Sequence, residues 1–385
     1  MIRNRAFQGA SSVSPFTAVG GTKLSLSTSG PLSSALPKAM NVAGGSGTVG
    51  FSNPGWWGID VKVQPYQGSF YVKGAYTGKF TASLLSSSGD VLGSVDIPSQ
   101  ATANAWVQHN FTLTPTKAAS DAKNVFTVTY DASGVSGGSM NFNLISLFPP
   151  TYNNRPNGFR KDIMDALKEL NPSVLRFPGG NNVEGQAAGS EWKWQNTVGP
   201  IENRPGRQGT WGYYNTDGMG LVEYMHWCED LDMEPILATF DGLYLGKTIV
   251  SQSALQPYID NFLNELEYLM GDASTKYGAV RVSHGYPKPW KINIVEIGNE
   301  DNLNGGTASA GSYRFPMFYK AVKAKYPDMT VIASAPEVKP LPGDAGLDYH
   351  VYNRPNLLVQ QFSTFDRYDR KHKVLIGKLL VSTLY

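Results

Sequence analysis

The chain has 385 residues, 41% of them hydrophobic and 17% charged, which gives room for two or three domains and excludes a wholly disordered polypeptide. Its formal net charge is +2 with no basic cluster, so charge-driven binding to nucleic acid or to an anionic membrane surface is excluded. No apolar run reaches the roughly 20 residues of a spanning helix, and the 41 glycines and 24 prolines follow no repeat period, which excludes membrane-helical and collagen-like chains.

The first elements in chain order are strands. Between about Gly20 and Pro150 the segments Val61 to Val63, Ser69 to Ala75, Thr81 to Leu85, Val91 to Ile97, Trp106 to Leu113, Asn124 to Tyr130 and Met140 to Leu147 alternate apolar with polar residues. Turn formers such as Ser88-Gly89-Asp90 and the run Gly134 to Gly138 separate them. Many short strands with Gly-rich turns predict an antiparallel β-sandwich without helices.

From Asn157 the pattern changes. Ile163, Met164, Leu167 and Leu170 lie at helical spacing in Phe159 to Leu170, and Ser173 to Phe177 follows as a short strand. Helices around Gly218 to Leu231, Leu255 to Met270, Tyr313 to Tyr326 and Leu357 to Tyr368 then alternate with strands. The strands are Pro235 to Phe240, Ile292 to Ile297, Thr330 to Ala333, Leu347 to Val351 and Lys373 to Ile376. This alternation predicts a parallel sheet with helical crossovers, either doubly wound or a (β/α)8 barrel. No Gly-rich dinucleotide loop follows a strand, which favours the barrel, with six of its eight strands present.

Function in such a barrel collects at the C-terminal strand ends. There the sequence places Arg176-Phe177-Pro178-Gly179-Gly180-Asn181-Asn182, then Glu296-Ile297-Gly298-Asn299-Glu300, then Asp348, His350, Tyr352 and Asn353. Carboxylates, amides and aromatic rings with few cations suit neutral hydroxyl-rich ligands better than phosphates. The 8 Trp and 20 Tyr fit the same partner class or, equally simply, the core. A Glu following an Asn at a strand end is what a glycosidase acid needs, in a half-buried place that keeps it protonated. The single cysteine, Cys228, allows no internal disulfide and lies at helical spacing from Leu221, Tyr224 and Met225, as a core residue would. No His-x-His or His-Glu-x-x-His spacing occurs, so no metal site is expected.

The segments RFPGGNNVEG (Arg176 to Gly185), WKWQNTVGP (Trp192 to Pro200) and VEIGNE (Val295 to Glu300) resemble the α-L-arabinofuranosidases of glycoside hydrolase family 51. IRNRAFQG at the start and FSNPGWWGIDVKV (Phe51 to Val63) resemble the fungal branch, and the resemblance runs from Ile2 to Gly377. It implies a carbohydrate-binding-module-like β-sandwich at 20–150 followed by an incomplete (β/α)8 barrel, strands two to seven, at 151–377. Residues 1–19 become a remnant of the first barrel helix and loop, and 378–385 an unrelated tail. The implied activity is release of terminal α-L-arabinofuranosyl groups from arabinose-containing polysaccharides and oligosaccharides with retained configuration, without a cofactor. Residue by residue, Glu300 matches the general acid/base. Asn299 and Asn181 match contacts to sugar hydroxyls, Tyr352 an active-site tyrosine, and His350 a pocket residue. Arg176 is expected to support the carboxylates. Trp194 either borders the subsite or packs beneath its loop. Glu184, Asp241 and Glu337 read as capping or loop support, and Trp56 and Trp57 as a sugar-stacking platform or core.

Retaining hydrolysis takes two carboxylates about 5–5.5 Å apart. The family's nucleophile Glu is expected directly after a segment like Val374-Leu375-Ile376-Gly377, where this chain has Lys378. Leu379 to Tyr385 matches nothing in the family; Gly-Lys can be encoded by a splice-donor pattern, so a retained intron is the expected origin of the tail. The nucleophile, the eighth strand, the C-terminal sandwich and a first strand before Ile2 are therefore expected to be wanting. An open barrel with low solubility and negligible turnover follows. Two other readings stay open: a non-catalytic carbohydrate-binding protein, and a different retaining (β/α)8 glycosidase. Secretion is implied by the resemblance and fits the sequon Asn110-Phe111-Thr112, although Met1 to Gly9 is no signal peptide.

Overall fold

The computed structural model describes residues 1–381 and divides into two compact units. The first comprises Met1–Glu169, Gly199–Arg207 and Thr216–Met219; the second comprises Leu170–Val198, Gln208–Asn215 and the chain from Gly220.

The first unit contains β1 (Thr17–Val19), β2 (Lys23–Ser27), β3 (Ala39–Ala43), β4 (Thr48–Asn53), β5 (Tyr66–Tyr76), β6 (Lys79–Leu85), β7 (Val91–Pro98), β8 (Val107–Leu113), β9 (Val125–Asp131) and β10 (Val135–Phe148). They form two five-stranded antiparallel sheets, ordered β1-β4-β9-β6-β7 and β2-β3-β10-β5-β8. Side chains alternate across each strand, so β8 buries His109, Phe111 and Leu113 and turns Gln108, Asn110 and Thr112 outward. Phe51 meets Phe142 edge-on at 5.0 Å, and Phe70 meets Phe80 at 5.2 Å, in the apolar core of this unit. Burial of each such ring contributes about 1.5–3 kcal/mol.

Three expectations change here. Residues 1–19 are not a barrel helix. Asn4 and Phe7 take left-handed backbone, which breaks any helix, and Ile2, Ala6, Phe7 and Phe16 are buried in the first unit before β1 begins. Val61 to Val63 is not a strand; Val61 is buried from a loop held by the Lys62 amide donating to Tyr66 Oη at 2.9 Å. Strands β1 to β4 had no expected counterpart.

The second unit is built on a parallel sheet ordered β11-β14-β15-β16-β17-β18. Its strands are β11 (Val174–Phe177), β14 (Glu234–Thr239), β15 (Ile294–Ile297), β16 (Thr330–Ala333), β17 (Gly346–Asn353) and β18 (Val374–Val381). The short ladder β12 (Arg207–Gln208) and β13 (Tyr214–Asn215) lies between the first two in sequence. The main helices are Leu221–Leu231, Gln256–Met270, Lys276–Ser283 and Phe315–Lys325. In the first of these Glu223 accepts from the Gly220 amide at 2.8 Å, closing the N-terminus, and Leu221, Val222, Met225 and Cys228 face the core. The Cys228 thiol is pushed up to about 12 by burial, so it is inert packing. Antiparallel sheets plus a six-stranded parallel sheet with helical crossovers match a sandwich followed by a partial barrel.

The region after β17 departs from expectation. In place of a helix over Leu357 to Tyr368 there is a short helix Pro355–Val359 and a separate turn Thr364–Arg367. The last strand does not stop at Ile376. Its ladder with β17 pairs His350 with Lys378 and Val351 with Leu379, so Lys378 is a strand residue. Residues 382–385 of the expected tail lie outside the described residues.

Candidate active site

The C-terminal ends of β11, β15, β17 and β18 converge on one group of charged and amide side chains. Arg176, on β11, points across the sheet to Glu296 on β15 and grips it with both arms: Nη2 donates to Oε1 at 2.7 Å and Nε donates to Oε2. The same Nη2 donates to Asn299 Oδ1 at 3.2 Å, and Nε lies 3.6 Å from Asp348 Oδ2. Burial pushes the Glu296 carboxyl up while Arg176 pulls it down.

After β15 the chain turns sharply. Gly298 and Glu300 both hold left-handed backbone, at φ 83° and 49°. The turn buries Asn299, whose Nδ2 donates to Glu184 Oε2 at 2.8 Å and lies 3.4 Å from Asn181 Oδ1. Glu184 ends the short helix Asn181–Glu184, and burial raises its carboxyl to about 8. Asp301, the next residue, is anchored below. Arg314 Nη1 donates to Asp301 Oδ1 at 2.6 Å and also to Asp241, and Ser334 Oγ donates to Asp301 Oδ2 at 2.6 Å. The loop is thus tied on both sides of Glu300.

Glu300 accepts from His350 Nδ1 at 2.9 Å and from Lys378 Nζ at 3.2 Å. His350 Nε2 donates to Asp348 Oδ2 at 2.8 Å, and Asp348 Oδ1 accepts from the Gly377 amide at 2.6 Å. Burial lowers the His350 pKa, but its bonds to Asp348 and Glu300 outweigh that and raise it, each ring nitrogen facing a carboxylate oxygen. The His350 bond first, and then the Lys378 charge, hold the Glu300 carboxyl down at about 2 against the effect of burial. That is opposite to the raised value a general acid needs.

Glu296, Asp348 and His350 place ligand atoms within 4.8 Å of one another, the spacing of a metal centre. The donor set does not fit one: Arg176 already grips both oxygens of Glu296 and stands beside Asp348, and both His350 nitrogens are committed.

Above this cluster a pocket of about 410 Å³ is lined by Gly180, Asn181, Trp211, Tyr213, Glu300, Tyr352 and Lys378 among others. It unites Asn181, Glu300, Tyr352 and Lys378, with Asn299, His350 and Arg176 packed around and below through the bonds given. Trp194 is not part of it. Its side chain is buried against Tyr268 and Tyr277, with Nε1 donating to the Asn261 carbonyl at 3.2 Å, so of its two readings the packing one describes its place. Glu337 is exposed, whereas Asp241 and Glu184 are buried parts of the loop's support. Trp211 and Tyr213 had no place in the sequence reading. They are exposed at the tip of the β12–β13 hairpin, and their only local signal is two large aromatics flanking Gly212 in a polar turn.

Carboxylates and amides at the C-terminal ends of parallel strands, rimmed by exposed rings, define a barrel-type glycoside hydrolase. The comparisons narrow this. The family model described as "Alpha-L-arabinofuranosidase 1 domain" matches residues 166–370. A relative in Aspergillus flavus named "Probable alpha-L-arabinofuranosidase A" is 44% identical over 98% of this chain and 62% of its own length. "Alpha-L-arabinofuranosidase A" of Aspergillus kawachii is 43% identical over the same shares. The solved structure of an arabinose-bound family 51 α-L-arabinofuranosidase, MgGH51, superposes with a TM-score of 0.90 at 38% identity, over 100% of this chain and 64% of that one. This chain belongs to the α-L-arabinofuranosidases of glycoside hydrolase family 51. It spans 62% of the length of the curated relatives it matches.

Proposed function

We propose that the fold serves retaining hydrolysis of terminal α-L-arabinofuranosyl groups in arabinoxylan and arabinan, and that this chain holds such a group without releasing it. The names of the relatives support the substrate class. In this reading Asn181 and Asn299 hold sugar hydroxyls, Tyr352 and His350 shape the pocket, and Arg176 fixes the carboxylates. Glu300 stands at the place of the general acid/base. The six parallel strands correspond to strands two to seven of an eight-stranded barrel, and the first unit to a carbohydrate-binding-module-like sandwich. Secretion belongs to the same proposal.

The observation that carries the second half is the Lys378–Glu300 pair at 3.2 Å. A retaining glycosidase needs one protonated carboxyl to give its proton to the leaving oxygen and one carboxylate to bond the anomeric carbon. Lysine offers no carboxylate for a glycosyl ester. Its ammonium also helps keep Glu300 ionised at about 2, so the proton donor is lost with the nucleophile. Incubation with 4-nitrophenyl α-L-arabinofuranoside is expected to release no nitrophenol above the buffer rate, while soluble arabinoxylan is retained by the immobilised chain. Turnover that disappears in Glu300→Gln would refute this reading.

A further inference from the structure

A cavity in the first unit lies on the outer face of the sheet β2-β3-β10-β5-β8. It is a groove of about 990 Å³, at the upper end of the roughly 300–1,000 Å³ of small-molecule sites. Its floor follows from strand alternation. Strand β5 buries Tyr66, Phe70 and Val72, and β8 buries His109, Phe111 and Leu113. The alternate residues Gln67, Ser69 and Tyr71 of β5 and Gln108, Asn110 and Thr112 of β8 then face outward, and register pairs Gln67 with Thr112, Ser69 with Asn110, and Tyr71 with Gln108. Phe148 of β10 also borders the groove; one wall is the segment from Pro149 to Asn157, and Glu202 stands at another.

We propose that this groove is a binding site for a neutral oligosaccharide chain, separate from the pocket at Glu300. The floor is three cross-strand pairs of uncharged donors and acceptors. Successive pairs are about 6.6 Å apart along the strands, so the row runs for about 13 Å, long enough for an oligomer and too long for one sugar. The floor itself carries no formal charge; Arg5, Arg155 and Glu202 stand around it. Tyr71 stays a neutral phenol, because burial, reinforced by the nearby Glu202 carboxylate, raises its pKa to about 12. It donates to Glu202 Oε1 at 3.3 Å, which fixes the ring in the groove. Tyr71 and Phe148 are both half-buried, giving apolar ring surface beside the amides and hydroxyls, the combination that a sugar's C–H faces and hydroxyls require. Thr112 Oγ1 already donates to Gln67 Oε1 at 3.0 Å, so that pair is preorganised. The inference does not rest on the catalytic reading, since none of these residues touches Glu300.

The test uses the full chain made in bacteria, so that the Asn110 sequon carries no glycan. Xylohexaose is titrated by calorimetry, and soluble arabinoxylan is used as the retarding ligand in native gels. The parent is expected to bind both. The double variant Gln108→Ala with Asn110→Ala removes two exposed floor groups, and Ser69→Trp fills the groove. Each is expected to weaken xylohexaose binding at least tenfold with an unchanged melting temperature. Trp211→Ala, at the other pocket, is expected to leave xylohexaose binding within twofold. Absence of binding by the parent would overturn the proposal. So would binding that survives both groove variants, or that is lost only in Trp211→Ala.

Discussion

Replacing Lys378 by glutamine gives the most direct test of what holds the Glu300 carboxyl down. The two side chains are 3.2 Å apart, with Lys378 a quarter exposed and Glu300 17% exposed. At that distance and an effective dielectric of about 20 the attraction is ~5 kcal/mol, an upper limit that solvent around the lysine reduces. An opposite charge this close lowers a carboxyl by roughly 1–3 pKa units. His350 is the larger hold on Glu300 and remains in the variant. Lys378→Gln is therefore expected to raise Glu300 by roughly one to two units from about 2, leaving it below its ordinary value. At pH 5.5 the fraction of protonated Glu300 would rise from ~1 in 3,000 to between ~1 in 300 and ~1 in 30. Carboxyl-carbon NMR across pH 1.5–7 measures this, with Glu300→Gln assigning the resonance. A Glu300 that titrates at its ordinary value in the parent refutes the reasoning, as does one that Lys378→Gln does not move.

Three other outcomes follow. Glu265 is wholly buried on the helix Gln256–Met270, its Oε1 makes no hydrogen bond, and burial raises it to about 8 against the pull of Trp192. A raised carboxyl means that the folded state keeps a proton the unfolded chain has lost, so stability falls as pH rises from about 4.5 to 8. Glu265→Gln should flatten that slope and raise unfolding free energy at pH 8 by a few kcal/mol, of the order of 4; an unchanged urea midpoint at pH 8 contradicts it. Arg314→Met leaves Asp241 and Asp301 buried without their cation and should lose about 3–5 kcal/mol in urea unfolding. A loss under 1 kcal/mol would contradict this. Trp194→Ala should lose about 3–5 kcal/mol as a core cavity, yet arabinoxylan retention by the folded fraction should persist. Loss of retention without loss of stability would return Trp194 to the subsite.

How much of this was legible in the sequence depends on how local each cause is. Strands β5 to β10 were readable because Phe70, Val72, Phe80, Ala82, Phe126 and Val128 alternate cleanly with polar residues. Strands β1 to β4 were not, because Leu24 and Leu26 are only partly buried and Gly50 interrupts the alternation in β4. Up to β17 the parallel strands, and the helices between them except Lys276–Ser283, were found nearly to the residue, since buried strands read as short apolar runs between helical periods. In the site, Asn299-Glu300 was visible from its place after a strand. The grip of Lys378 on Glu300 was not, because it depends on the ladder between β17 and β18 and on the irregularity between Asp348 and His350 that sets its register. The bond from Asn299 to Glu184 was not visible either, because the two residues are 115 positions apart. Trp194 stayed open between subsite and packing because the rings that enclose it, Tyr268 and Tyr277, come from two later helices.

The left-handed backbone at Glu300 reaches beyond the present chemistry. A glycine would hold φ 49° without strain, whereas a side chain there costs on the order of 1–2 kcal/mol. Glutamate and glycine codons differ by one base, so the relieved sequence is always a single mutation away. Drift in a lineage with no use for the carboxyl would favour that step. The loop therefore holds its carboxyl in place against a standing conformational cost.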